Sequence, residues 1–143
     1  MKINGLEYKD NSKIMPNKRN SKEKIEKFSK EMENSFLENR KKDLQEILTS
    51  IKKKGNKIIV TKTINDVVEY KSLVKDYLKK VFNDMYSLNK CTDTFNSKYY
   101  LTVETVDEKL KELTDKIINN EKDNISILNT IDEIQGLIVS VYK

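Results

Sequence analysis

Between Asp107 and Tyr142 the chain reads DEKLKELTDKIINNEKDNISILNTIDEIQGLIVSVY, two amphipathic stretches joined by the polar linker NNEKDN. Leu110, Leu113 and Ile117 recur on the first stretch at spacings of three and four. Leu128, Ile131, Ile134, Ile138 and Val141 do the same on the second. That period aligns apolar side chains along one face of an α-helix, and a short polar linker returns the second helix beside the first. A chain with this ending is committed to helix-on-helix packing.

The same period extends upstream. The third helix carries Tyr99, Val103, Val106, Leu110, Leu113 and Ile117, and the fourth follows a cap at Asp123 or Asn124. The second helix begins at Ile64, because Thr63 with Asp66 three residues on has the form of an N-terminal capping arrangement. Its apolar positions are Ile64, Val67, Val74, Leu78, Val81, Met85 and Leu88, with one place missing at Lys71. Such a heptad predicts packing along a neighbour at a shallow angle. Residues 89–98 form the connection that follows.

In the first helix, Ile25, Phe28, Met32 and Phe36, then Leu44, Ile47, Leu48 and Ile51, predict a buried face. The wholly polar ENRKKD, residues 38–43, interrupts it, so one kinked helix and two separate helices both satisfy the pattern. Gly55 after three lysines reads as the helix stop, since glycine accepts the left-handed cap and cations suit a helix C-terminus. Ile58, Ile59 and Val60 then form a short apolar connector. At about 1.5 Å per residue, helices two, three and four span about 39, 33 and 29 Å, whereas a continuous helix over 22–54 reaches about 50 Å. Its N-terminal turns would project as a partner-binding element. Residues 1–20 are polar, hold the only proline, Pro16, and show no period, which predicts a disordered tail. The fold class is therefore all-α, an up-and-down bundle of four main helices, with residues 21–143 as a single domain.

Composition restricts the chemistry. A chain of 143 residues is the usual size of one domain. Histidine is absent and Cys91 is the lone cysteine, so neither an internal disulfide nor a Cys/His zinc site can form. The start has no apolar stretch of the 7 to 15 residues that a secretion signal requires. Apolar runs such as Leu137–Val139 are far too short to cross a bilayer. These features predict a soluble protein of the cytoplasm without a membrane partner. The three glycines, at 5, 55 and 136, cannot build a phosphate-binding loop. Asp107-Glu108 and Asp132-Glu133 offer carboxylates, but a di-iron bundle wants Glu-x-x-His motifs, so no metal and no cofactor is expected.

Charge is uneven. Residues 1–90 carry 22 basic and 13 acidic side chains, and residues 91–143 carry 6 and 10. The basic clusters Arg40, Lys41, Lys42 and Lys52, Lys53, Lys54 are candidate phosphate contacts for a nucleic acid, although lysine on a solvated helix face needs no ligand.

The strings GNKIIVTKTINDVVEYKSLVKDYLKK and DEKLKELTDKIINNEKDNISILNTIDEIQGLIVSVY resemble the YaaR family of uncharacterised bacterial proteins, across about residues 44–143. The distinctive pieces are Glu69-Tyr70-Lys71 and the cluster Glu133, Ile134, Gly136 and Leu137. The resemblance implies a compact helical protein of the bacterial cytoplasm. Where the family commonly reads G-E-I-R-G, this chain has Asp132-Glu133-Ile134-Gln135-Gly136. Its loop from Cys91 to Lys98 also lacks the family's usual glycine and arginine residues.

Glu69, Tyr70, Lys71, Glu133, Gly136 and Tyr142 are the candidate interaction residues. Each has an ordinary explanation. Lys71, at the missing core place, would reach a carboxylate across the bundle as a structural ion pair. Gly136 costs about 1 kcal/mol inside a helix, which close approach of a neighbour would compensate. Tyr99, Tyr100 and Tyr142 can form a stacking platform or simply sit at the core boundary. The functional expectation is a non-enzymatic interaction module that binds a protein partner or itself. The rivals are a nucleic-acid-associated protein using the basic half and a small-ligand binder or enzyme of unknown type.

Overall fold

The structure, a computed structural model, describes the backbone of residues 2–142 and the side chains of residues 21–141. Of residues 1–20, expected as a disordered tail, the side chains lie outside those described, and the backbone from Lys2 onward is assigned to α1. Among the described residues there are four helices: α1 Lys2–Thr61, α2 Ile64–Ser87, α3 Asp93–Ile118 and α4 Asn124–Tyr142. No strand occurs among the described residues. The all-α bundle read from the periodicity is thus what the chain forms. It divides into two compact units, Met1–Lys41 and Lys42–Lys143.

The larger unit holds the apolar core, to which every helix contributes at heptad spacing. Leu44, Ile51 and Ile58 come from α1, Val67, Val74 and Val81 from α2, Val106, Leu110, Leu113 and Ile117 from α3, and Ile127, Ile131, Ile134, Ile138 and Val141 from α4. Connections of two residues (62–63) and five residues (88–92 and 119–123) turn each helix back beside the one before.

Side chains close the helix starts. Thr63 accepts from the Asp66 amide at 3.3 Å, and Thr92 accepts from the Phe95 amide at 3.1 Å. Asp123 accepts from the Ile125 amide at 3.0 Å. Each satisfies a backbone donor that the helix itself leaves open. At the other ends the chain enters the left-handed region at Lys62, Asn89 and Asn120, with φ of 52°, 55° and 56°. Behind the two asparagines, Lys90 and Glu121 amides donate back to the Met85 and Lys116 carbonyls, both at 2.9 Å, completing Schellman turns.

Five expectations are corrected. First, α1 does not split into two helices at ENRKKD: helix is continuous through residues 38–43, whose Glu, Arg and Lys are good helix formers. Second, Gly55 does not end α1; the helix runs six residues further and includes the supposed connector, whose Ile58 is the next core position after Ile51. Third, the place missing at Lys71 is filled by its neighbour: Tyr70 and Tyr77 are fully buried among the α2 valines, while Ile64 is exposed. Fourth, α3 starts at Asp93, because Thr92 caps it and the segment counted as loop is helical. Fifth, Ile127 rather than Leu128 enters the core from α4.

The largest departure is in the smaller unit. Ile25, Phe28 and Met32 were expected to be buried, but 66%, 61% and 59% of their surfaces are exposed. A spacing of three and four gathers side chains on one face without saying what covers it.

Candidate functional site

The densest polar constellation sits where α1 turns into α2. Two helix ends meet there, and Thr61, Thr63 and Asp66 fall within one turn of each other. The Asp66 carboxylate accepts from the Thr61 hydroxyl at 2.5 Å and the Thr63 hydroxyl at 2.9 Å. Lys57 and Lys54 place their Nζ atoms 3.5 and 3.7 Å from its other oxygen. Lys54 also forms a close ion pair with Glu69 of α2. The Thr61 hydroxyl does most to hold the Asp66 carboxyl below the ordinary range; burial opposes it, and Thr63, Lys57 and Lys54 add to the lowering. Hydrogen bonding to Glu69 raises the Lys54 ammonium correspondingly. Every strong acceptor and cation in the cluster is therefore already engaged by another, an arrangement that locks a turn.

A second polar strip joins α3 to α4. Lys109 pairs with Glu133 at 2.6 Å and with Glu112 at 3.3 Å. Lys116 reaches Glu112 at 3.4 Å, the Thr130 hydroxyl at 2.8 Å and the Ser126 carbonyl at 3.1 Å.

Set against this geometry, the candidate interaction residues disperse. Glu69 and Glu133 serve ion pairs between helices. Tyr70 is a core residue. Its hydroxyl has no partner in good hydrogen-bond geometry. Burial pushes the phenol well up, with the Gln135 amide opposing in part and Asp132 adding. Lys71 stands exposed, and it is Lys54 that reaches across to a carboxylate. Gly136 faces open space, with nothing within 4 Å of where a Cβ would sit. The close approach belongs to Gly55, whose added Cβ would lie 2.9 Å from Ile131 Cγ2, 3.3 Å from Gln135 Nε2 and 3.4 Å from Tyr70 Cε1. Tyr142 lies outside the described side chains.

The basic candidates also separate. Lys54 is consumed by Asp66 and Glu69, and the Arg40 guanidinium lies over the Phe36 ring at 4.9 Å. Lys41, Lys42, Lys52 and Lys53 are exposed. Tyr99 belongs to an aromatic cluster, 4.9 Å from Phe82 and 6.0 Å from Phe95 between ring centroids, and its hydroxyl donates to the Leu78 carbonyl at 3.1 Å. Tyr100 stacks edge-on against it and is mostly exposed. Cys91 is half-buried in the α2–α3 turn.

Several large apolar side chains are exposed, Val60, Leu101, Ile118 and Ile125 among them, and Ile25, Phe28 and Met32 stand out as three in a row at successive turns of one helix. Sequence reasoning found the row and assigned it to the core. Nothing in its spacing distinguishes an uncovered face from a buried one. Among the described residues no group of three or more His, Cys, Asp or Glu side chains could hold a metal ion, and no helix is long and apolar enough to cross a membrane.

These features define a small all-α bundle protein whose polar clusters serve its own turns and helix contacts. The chain belongs to the family described as Protein of unknown function (DUF327), whose family model matches residues 3–142. It is 29% identical over 118 residues to the uncharacterised protein YaaR of Bacillus subtilis (strain 168), covering 80% of this chain and 81% of that one. The YaaR resemblance is thereby established. Among solved structures, TM1646 from Thermotoga maritima superposes with a TM-score of 0.67 at 32% identity, covering 80% of this chain and 97% of that one. The uncharacterised protein BH1478 from Bacillus halodurans gives 0.64 at 32% identity, covering 74% and 89%.

Proposed function

We propose that the protein is a non-enzymatic interaction module of the bacterial cytoplasm that docks a protein partner on the exposed face of α1. The observation that carries this reading is the row Ile25, Phe28 and Met32, three large apolar side chains more than half exposed at successive turns of one helix. Leaving such a row in water forfeits about 1.5–3 kcal/mol per side chain that burial would return, and an amphipathic helix face is a common docking element. The polar clusters support the same reading from the other side, since their charges are matched internally.

The test is a pull-down from the organism's own lysate with nuclease, comparing the full chain with a Phe28→Glu/Met32→Glu variant. The expected result is a set of proteins retained by the natural chain and lost by the variant. Retention by both would overturn the reading. Loss from both on nuclease treatment would favour nucleic acid held by exposed lysines such as Lys52 and Lys53, and a salt series would then show the steep dependence of phosphate contacts.

A further inference from the structure

We infer that the occupant of the α1 face is a second copy of this chain, paired antiparallel along residues 22–38. This rests on the reading that the exposed row is a docking surface, and it names what docks there. Charge complementarity within the segment carries the inference. Residues 22–30 hold four lysines and two glutamates, a net +2, whereas residues 31–38 hold three glutamates and no cation, a net −3. Parallel pairing sets like halves against like. Antiparallel pairing sets the basic half of each copy on the acidic half of the other. Charges flanking an apolar helical seam choose orientation in this way, with repulsion in the wrong arrangement adding to attraction in the right one.

The apolar spacing fits the same arrangement. With residue 30 at the two-fold axis, Phe28 of one copy faces Met32 of the other, and Ile25 lies opposite Ser35 with Phe36 adjoining. A self-complementary patch of this kind is what a two-fold dimer requires. The row ends at Phe36, whose ring is covered by Arg40, so the seam is short. About four turns of helix bury an area near the lower end of specific interfaces, which corresponds to a reversible dimer.

Sedimentation velocity on the full chain, from low to high micromolar concentration, should show a monomer–dimer equilibrium that Phe28→Glu/Met32→Glu abolishes while leaving far-UV circular dichroism unchanged. Orientation is read by cysteine pairing in a Cys91→Ser background. Mixing Ser21→Cys with Asn39→Cys should give a mixed disulfide, and Ser21→Cys alone should give none. A monomer at every concentration, a dimer indifferent to the double substitution, or a Ser21→Cys homodisulfide would each overturn the inference. If the chain is monomeric and lysate partners still depend on Phe28 and Met32, the self-pairing fails and the docking surface stands. If neither depends on them, both fail.

Discussion

Replacing Gly55 with alanine sets two opposed effects against each other. In a helix interior, alanine is favoured over glycine by about 1 kcal/mol. Here the new methyl would stand 2.9 Å from Ile131 Cγ2, closer than packed carbon atoms come. Ile131 is almost fully buried, and a β-branched side chain on a helix has essentially one χ1 rotamer, so it cannot swing aside. Gln135 Nε2 at 3.3 Å is the end of a flexible chain and can yield, and Tyr70 Cε1 at 3.4 Å needs no shift. Overpacking of this kind costs about 1–3 kcal/mol, leaving Gly55→Ala destabilised by about 1 kcal/mol net. Gly136→Ala meets nothing and should be stabilised by about 1 kcal/mol. Chemically identical substitutions should thus differ by about 2 kcal/mol, or about 6–8 °C in Tm for a chain of this length. Urea and thermal denaturation followed by circular dichroism measure both. A double-mutant cycle with Ile131→Ala should return a favourable coupling of about 1–2 kcal/mol. The reasoning is refuted if Gly55→Ala stabilises the protein as Gly136→Ala does, or if the coupling to Ile131 is absent.

Lys62, held at φ 52°, pays the left-handed penalty without the side-chain tolerance of asparagine, so Lys62→Gly should raise stability by about 0.5–1 kcal/mol in urea titration; a loss would contradict the strain argument. Tyr70→Phe removes a buried hydroxyl lacking a well-formed hydrogen bond and should be neutral or stabilising by up to about 1 kcal/mol; destabilisation beyond that would reveal a partner. Asp66→Asn should lower stability at neutral pH. Because the Asp66 carboxyl is held below its usual range in the folded state, its contribution is complete above the ordinary carboxylate pKa of about 4 and is lost as pH falls through the lower folded value. The gap between the natural chain and Asp66→Asn should therefore narrow in acid, and a gap constant with pH would show that the charge is immaterial.

Periodicity made the third helix readable from Val106 to its end, though not its start at Asp93. Val106, Leu110, Leu113 and Ile117 are buried as their spacing implies, and the Thr63 cap stands where the sequence puts it. The errors have physical causes. Tyr70 and Tyr77 are absent from the expected α2 seam, yet both rings sit in the core, since a tyrosine ring buries well despite its polar tip. Gly55 was read through its conformational freedom, whereas its role is the space it leaves for α4, and a neighbour's position is not written in local sequence. Gly136 shows the converse, a helical glycine with no close neighbour. The candidate surface was legible as a pattern and misassigned as to environment: an apolar row looks the same whether it lines a core or faces water.

The contact between Gly55 and Ile131 has a consequence for which arrangement of the bundle is selected. The α1 positions Leu44, Ile51 and Ile58 repeat every seven residues, as do Val67, Val74 and Val81 of α2. Hydrophobicity alone would tolerate sliding α1 along its neighbours by one heptad, since apolar would still meet apolar. Such a slide brings either Leu48 or Lys62 to the place where α4 admits only a hydrogen atom. The misaligned bundle is excluded by collision, so the space kept open at Gly55 acts together with the two-residue turn at 62–63 to fix one register.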